Sequence, residues 1–348
     1  MTQAVTDGRH RDPVPVDLGL QGGGAHGAFT WGVLDRLLEE PWLQIEGISG
    51  TSAGAMNAAV MVCGHARGGA TGARDALAKF WKAVADAGRF SPFQRTPLDM
   101  ILGNWTLDNS PAFIAMEAMA RMVSPYALPG GANNPLKPIL DASVHFEGLK
   151  DAPIKLFITA TNVRTGRARV FRNADITPDV LLASACLPFL FQAVEIDGEH
   201  YWDGGYTGNP TLTPLVRECT SIDTILVTLN TVFRDEVPRS ARDITNRMNE
   251  ITFNSVLVKE LRMFALLRQV AAQAGTEAAN WADMRVHRIE GDDEMSKFGA
   301  SSKLLADWNF LTMLRDLGRA SAQKFLAAHG ADIGTRSSLN IDALLKEI

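Results

Sequence analysis

No run of eighteen apolar residues occurs in this 348-residue chain, so a membrane-spanning helix is not expected. The N-terminal stretch from Met1 to Asp12 lacks the apolar core of a signal peptide, and residues 1–15 are expected to form a flexible tail. Cysteine is scarce. Cys63, Cys186 and Cys219 are widely spaced without a C-x-x-C pair, which excludes a disulfide framework and fits reduced, buried thiols in a cytoplasmic protein. His and Cys never cluster at ligand spacing, so no metal and no other cofactor is expected. The acidic run Gly291 to Glu294 lacks the alternating oxygen ligands of a calcium loop and reads as a solvated turn. With a net charge of −5 and its Lys and Arg scattered, the chain offers no basic stripe for nucleic acid.

What is present is ample core material: 46% of the residues are hydrophobic and 21% charged. Apolar β-rich runs at 16–20, 45–49, 154–160, 168–172 and 223–229 alternate with helical patterns at 27–39, 53–63, 71–86 and 177–185. This alternation predicts a three-layer α/β/α sandwich around a mostly parallel sheet. Residues 88–150, rich in Pro and Gly with short apolar pieces, read either as an insertion forming a lid or acyl-chain pocket, or as ordinary helical packing. Residues 231–348 read as a mainly helical C-terminal part on the same domain, with one long or two broken helices over 240–273. Basic residues there could touch anionic lipid in a peripheral membrane contact, although a solvated face is the commoner meaning of such charges. The pattern from Trp308 to Ala328 could close the core or form a homodimer contact.

Gly50-Thr51-Ser52-Ala53-Gly54 follows a strand-like run and precedes an apolar helix. A serine flanked by glycine two residues to either side is the sequence form of a nucleophile elbow. Gly50 and Gly54 would let strand and helix approach, while Ser52 is held strained with its hydroxyl exposed.

A second glycine cluster, Gly22-Gly23-Gly24, follows the first strand. Three residues without side chains can turn backbone N–H groups toward one point, an oxyanion hole for an ester bound at Ser52. Alternatively, Gly22, Gly24 and Gly27 satisfy G-x-G-x-x-G, and Glu46 stands roughly where a dinucleotide fingerprint asks for its ribose carboxylate. That reading implies a dinucleotide-binding oxidoreductase. The elbow stands against it, because it occupies the region where such a domain needs its second strand.

A third piece is Asp203-Gly204-Gly205, which alone reads as a turn. The three clusters together, with Ala183-Ser184-Ala185-Cys186-Leu187-Pro188 before the aspartate and Asn209-Pro210 after it, resemble the patatin-like phospholipase family over about residues 16–230. The resemblance implies an acyl hydrolase acting on lipid or another acyl ester. Ser52 would be its nucleophile, Asp203 its base, and the amides of Gly22, Gly23, Gly24 and Ala53 its oxyanion hole, with Gly50, Gly54, Gly204 and Gly205 as support. A regulatory protein that keeps the fold without activity is a further alternative.

The rival arrangement is a Ser-His-Asp triad. His10 sits in a polar tail, His65 and His329 lie beside glycines, and His145 is in a connecting segment. His287 is placed late enough in the chain for the hydrolase order of serine, acid and histidine, but it reads as a surface strand residue. His26 and His200 lie near the motifs, and His26 either shapes the glycine loop, touches substrate or packs.

Overall fold

In the computed structural model, residues 11–128, 134–274 and 283–345 are described. Eight strands form one sheet. They are β1 (Val14–Leu20), β2 (Leu43–Gly50), β3 (Lys155–Asn162), β4 (Ala168–Arg172), β5 (Val194–Ile196), β6 (Glu199–Asp203), β7 (Asp223–Thr228) and β8 (Arg285–Glu290). The strands β3, β2, β1, β7 and β8 are parallel neighbours in that order. The remaining pairings, β3 with β4, β3 with β6 and β5 with β6, are antiparallel.

Helices cover both faces. They are α1 (Gly27–Leu37), α2 (Ala53–Gly88), α3 (Pro97–Leu102), α4 (Pro111–Ala120), α5 (Leu136–Ser143), α6 (Phe146–Leu149), α7 (Pro178–Ser184), α8 (Thr213–Glu218), α9 (Ala241–Ala274), α10 (Asp292–Ser296) and α11 (Trp308–His329). Side-chain alternation divides the core in two. Ile225 and Val227 of β7 join the larger cluster with α1, α2, α7 and α11, whereas Leu226 joins Leu212, Leu215, Leu261 and Phe264 of the α8–α9 side. Alternate strand residues point to opposite faces, so a sheet buried on both sides must supply both clusters, as the three-layer expectation requires.

Several elements differ from the sequence reading. Within α2 the helical patterns at 53–63 and 71–86 remain two helical segments, longer than read, on either side of Gly68 and Gly69, whose backbone is not helical. Of the expected N-terminal tail, residues 1–10 lie outside the described residues, but Val14 and Pro15 already belong to β1. The Arg11 guanidinium stacks 3.9 Å from the Trp42 ring centre, so residues 11–15 are held in place. After residue 230 the chain contributes α9, α10 and α11 and the strand β8, which pairs with β7. The face of α11 is core: Phe310, Leu311, Leu314 and Phe325 are buried, and Gly318 lets the helix cross close to the Phe29 carbonyl of α1.

Within 88–150, Leu107, Phe113, Leu140 and Leu149 are buried, while Leu98, Ile101, Leu102, Ile114 and Met122 are exposed. Residues 129–133 of this segment are outside the described set. In α9, Leu261 and Phe264 are buried, but Ile244, Met248 and Ile251 are exposed, so the helical spacing of these residues does not define one core face. No described helix is long and apolar enough to cross a membrane.

The registers bring two strand ends together. The strand β4 runs along Phe157–Thr161 of β3, while β2 pairs with Lys155–Ile158 and β6 with Ala160–Asn162. A strand has two edges, so β2 and β6 must share the edge that β4 leaves. The strand β2 climbs to Gly50 opposite Ile158, and β6 descends to Asp203 opposite Ala160. The elbow and the aspartate therefore meet although about 150 residues separate them.

Candidate active site

Beyond Gly50 the chain turns into α2, and Ser52 caps that helix with φ 55° and ψ −122°. A non-glycine residue keeps such a backbone only where its surroundings over-determine it. Here the Ser52 N–H donates to Ser184 Oγ at 2.9 Å, and the Ser184 hydroxyl donates to the Thr159 carbonyl at 2.7 Å, tying the turn to β3. The Thr51 hydroxyl donates to the Gly208 carbonyl at 2.7 Å. A side chain at Gly54 would collide with the Leu20 carbonyl, and one at Gly50 would stand 2.8 Å from the Gly54 carbonyl carbon. The N-terminus of α2 lies at the serine, where its free N–H groups favour negative charge.

At the end of β6, the Asp203 side chain is 2% exposed. Its Oδ1 accepts the Gly205 N–H at 2.7 Å, and the Ser52 hydroxyl beside it favours its ionised form. Burial raises its pKa to about 7, against the opposing pull of the Gly205 N–H, the Ser52 hydroxyl and the Lys303 ammonium. Gly204 lies against the Thr159 carbonyl and Gly205 against the Phe253 ring, neither leaving room for a Cβ.

The glycine loop departs from expectation at Gly22. Its N–H donates to Asn209 Oδ1 at 2.7 Å, so that amide is committed to the protein. What Gly22 contributes is space: a Cβ there would stand 2.8 Å from the Ser52 Cβ. Gly24 has φ 58°, and the Lys303 carbonyl closes off the side where a Cβ would project. Among the described residues, the N–H groups of Gly23, Gly24 and Ala53 make no hydrogen bond.

No histidine among the described residues hydrogen-bonds Ser52 or Asp203. His26 is buried, shares a 2.7 Å hydrogen bond with Ser302 Oγ and meets Phe298 and Phe310 edge-on. Burial, with the Lys303 charge beside it, lowers its pKa to about 3, so it is a neutral packing residue. The rings of His145 and His329 bond locally to Gly148 and Asp332, and His200 is exposed beside Glu195. His287 is fully buried, which corrects its reading as a surface residue. Its ring bridges Asp223 Oδ1 and Ser338 Oγ, both at 3.0 Å. It lies on β8, three strands from β2 or roughly 14 Å at ordinary strand spacing.

The dinucleotide geometry is not met either. Glu46 lies four residues before the end of β2, away from the glycine loop, and is bound by Lys155 and by the N–H groups of Thr220 and Ser221. Despite some burial, these partners lower its pKa to about 2. The acidic run expected to be a turn starts α10 instead, with Glu294 paired to Lys297.

Three residues at the site had no assigned role in the sequence. Ser184 and Asn209 lie inside the motifs that carried the resemblance, and the structure gives each a backbone N–H to hold. Lys303 lies in a stretch with no motif. It donates to Asn230 Oδ1 at 2.7 Å and Asn249 Oδ1 at 2.6 Å.

The sequence model of a family described as patatin-like phospholipase matches residues 18–216. No curated protein matches the chain. Among solved structures, VipD from Legionella pneumophila is similar at 14% identity and a TM-score of 0.40, over 92% of this chain and 67% of that one. The type III effector protein ExoU is similar at 16% identity and a TM-score of 0.32, over 91% of this chain and 53% of that one. The chain thus spans about half the length of ExoU. Likenesses this loose do not bear on the site.

Proposed function

The chain belongs to the patatin-like phospholipase family, and on that premise we propose that it hydrolyses lipid acyl esters through Ser52 and Asp203. The supporting observation is that the elbow serine and a buried carboxylate are brought together at the ends of β2 and β6, and that the carboxylate's pKa, about 7, suits it to take a proton near neutrality. As Ser52 Oγ attacks the acyl carbonyl, Asp203 receives the hydroxyl proton directly, with no imidazole between them. The N–H groups of Gly23, Gly24 and Ala53 stabilise the oxyanion, each such donor being worth roughly a hundredfold or more in rate. Collapse of the tetrahedral intermediate breaks the ester bond, and Asp203 returns the proton to the departing alkoxide. Asp203 then deprotonates a water that attacks the acyl-enzyme, releasing the fatty acid and restoring Ser52.

The exposed apolar side chains of α3 and α4, among them Leu98, Ile101, Leu102 and Ile114, favour a substrate with an apolar portion presented at a lipid surface. The direct test is covalent labelling by a fluorophosphonate, with mass spectrometry to locate the adduct and a panel of esters varied in chain length and head group. An adduct on Ser52 that is absent from Ser52→Ala, together with turnover of some acyl ester, is the expected result. A wild-type protein that takes no label and hydrolyses no ester would leave a regulatory protein with the same fold.

A further inference from the structure

Residue 303 comes from the last fifth of the chain, yet it forms one wall of the candidate site. The Lys303 carbonyl fills the space beside Gly24, and its ammonium stands 5.5 Å from the centre of the Phe253 ring. Phe253 packs against Gly205, whose N–H holds Asp203, and its own carbonyl accepts a hydrogen bond from Asn209 Nδ2 at 3.1 Å. Both hydrogen-bond partners of the ammonium, Asn230 and Asn249, are neutral amides. They fix the charge in place without cancelling it. Buried charges are costly, and one held by neutral oxygens acts on its surroundings through a low dielectric.

The other groups around this pair are accounted for. Facing Asp203 are Ser52, Cys186 and Tyr206. Burial, with the Asp203 charge beside them, pushes the Cys186 thiol up to about 12 and raises the Tyr206 phenol, so both are neutral. Facing Lys303 are neutral His26 and Glu250, and Glu250 is itself paired with Arg234 and Arg247. Burial lowers Lys303 to about 8, opposed by the charges of Glu250 and Asp203, which leaves it mostly protonated at neutral pH.

We propose that Lys303 is a positioning residue for hydrolysis: its ammonium, held by Asn230 and Asn249, keeps Asp203 as the carboxylate that receives the Ser52 proton. This rests on the reading of Asp203 as the base. The test is the pH profile of kcat/KM on a short-chain nitrophenyl ester for wild type, Lys303→Gln, Lys303→Arg and Asn249→Asp, each checked for folding by circular dichroism. Lys303→Gln removes the charge, and Asn249→Asp neutralises it while leaving the lysine in place. In both, the acid limb should move up by about one pH unit, a loss of roughly tenfold below the limb relative to the plateau. Lys303→Arg should keep the wild-type limb. If Lys303→Gln does not fold, Asn249→Asp decides.

A uniform loss at every pH with the limb unmoved would overturn the proposal, because that is what a purely structural role produces. Asp203→Asn is measured alongside. If it is inactive and the limb stays put in the lysine variants, only the role of Lys303 falls. If it is active, the reading of Asp203 as the base falls as well.

Discussion

Asn209 Oδ1 accepts the Gly22 N–H at 2.7 Å, joining the loop after β1 to a residue 187 positions later. The same side chain donates to the Phe253 carbonyl at 3.1 Å, so one amide group braces the glycine loop and α9 against each other. Asn209→Leu removes both bonds; the Phe253 carbonyl keeps its helical partner, but the Gly22 N–H is left unpaired in a buried site, at a cost of about 1–3 kcal/mol. Chemical denaturation should show that loss. Turnover per folded molecule should also fall by tenfold or more, since misplacing oxyanion donors costs rate steeply.

Proton acceptance by Asp203 predicts a pH profile. The carboxyl, at about 7, must be ionised to act, so kcat/KM should rise as pH increases through about 7 and level off above it. Asp203→Asn should lose about as much activity as Ser52→Ala, because the two groups act as a unit. His287→Asn should lower stability through its bonds to Asp223 and Ser338 while turnover per folded molecule stays near wild type. Near-complete inactivation by a single histidine change, with Asp203→Asn still active, would restore a triad.

Substitution along the glycine loop should have graded effects. Gly24→Ala puts a Cβ at φ 58° against the Lys303 carbonyl and should destabilise the fold by about 1–3 kcal/mol. At Gly23, with φ 176°, the chain is outside the left-handed region, and a Cβ would meet mainly the flexible Leu229 side chain at 3.0 Å. Gly23→Val should therefore fold, yet lose roughly a hundredfold in turnover as the bulk tilts the N–H groups. A melting temperature that drops for Gly24→Ala but not for Gly23→Val, with the rate loss the other way round for the folded fraction, is the expected signature.

Asp17 predicts a stability effect far from the chemistry. It is 1% exposed, and its Oδ1 makes no hydrogen bond. Burial, with the Glu46 charge adding, raises its pKa to about 8, against the opposing effects of the Cys219 thiol, the Gly47 N–H and Lys155. Because this folded value lies above the unfolded one near 4, the folded protein must hold a proton that the unfolded chain has released. The cost is absent below about pH 4, grows as pH rises, and is complete above about pH 8. Asp17→Asn should raise the melting temperature by several degrees at pH 8 and change it little at pH 4. Equal effects at both pH values would show that Asp17 does not take up a proton on folding.

Much of the site was legible in the chain because its parts depend on local backbone geometry. An elbow that reverses strand into helix needs glycines at 50 and 54, and a loop pressed against Ser52 needs one at 22, so these requirements appear as short motifs. The sandwich followed from alternating patterns for the same reason: a residue's periodicity reports which face it buries. Only the tertiary structure decided which loop amides are free, because Gly22 is claimed by Asn209 and the partner lies 187 residues away. It likewise decided that β2 and β6 share one edge of β3, that His287 serves Asp223, and that a lysine without a motif stands behind the glycine loop. Such pairings depend on how distant segments pack, and packing between side chains remote in sequence leaves no period or spacing in the chain.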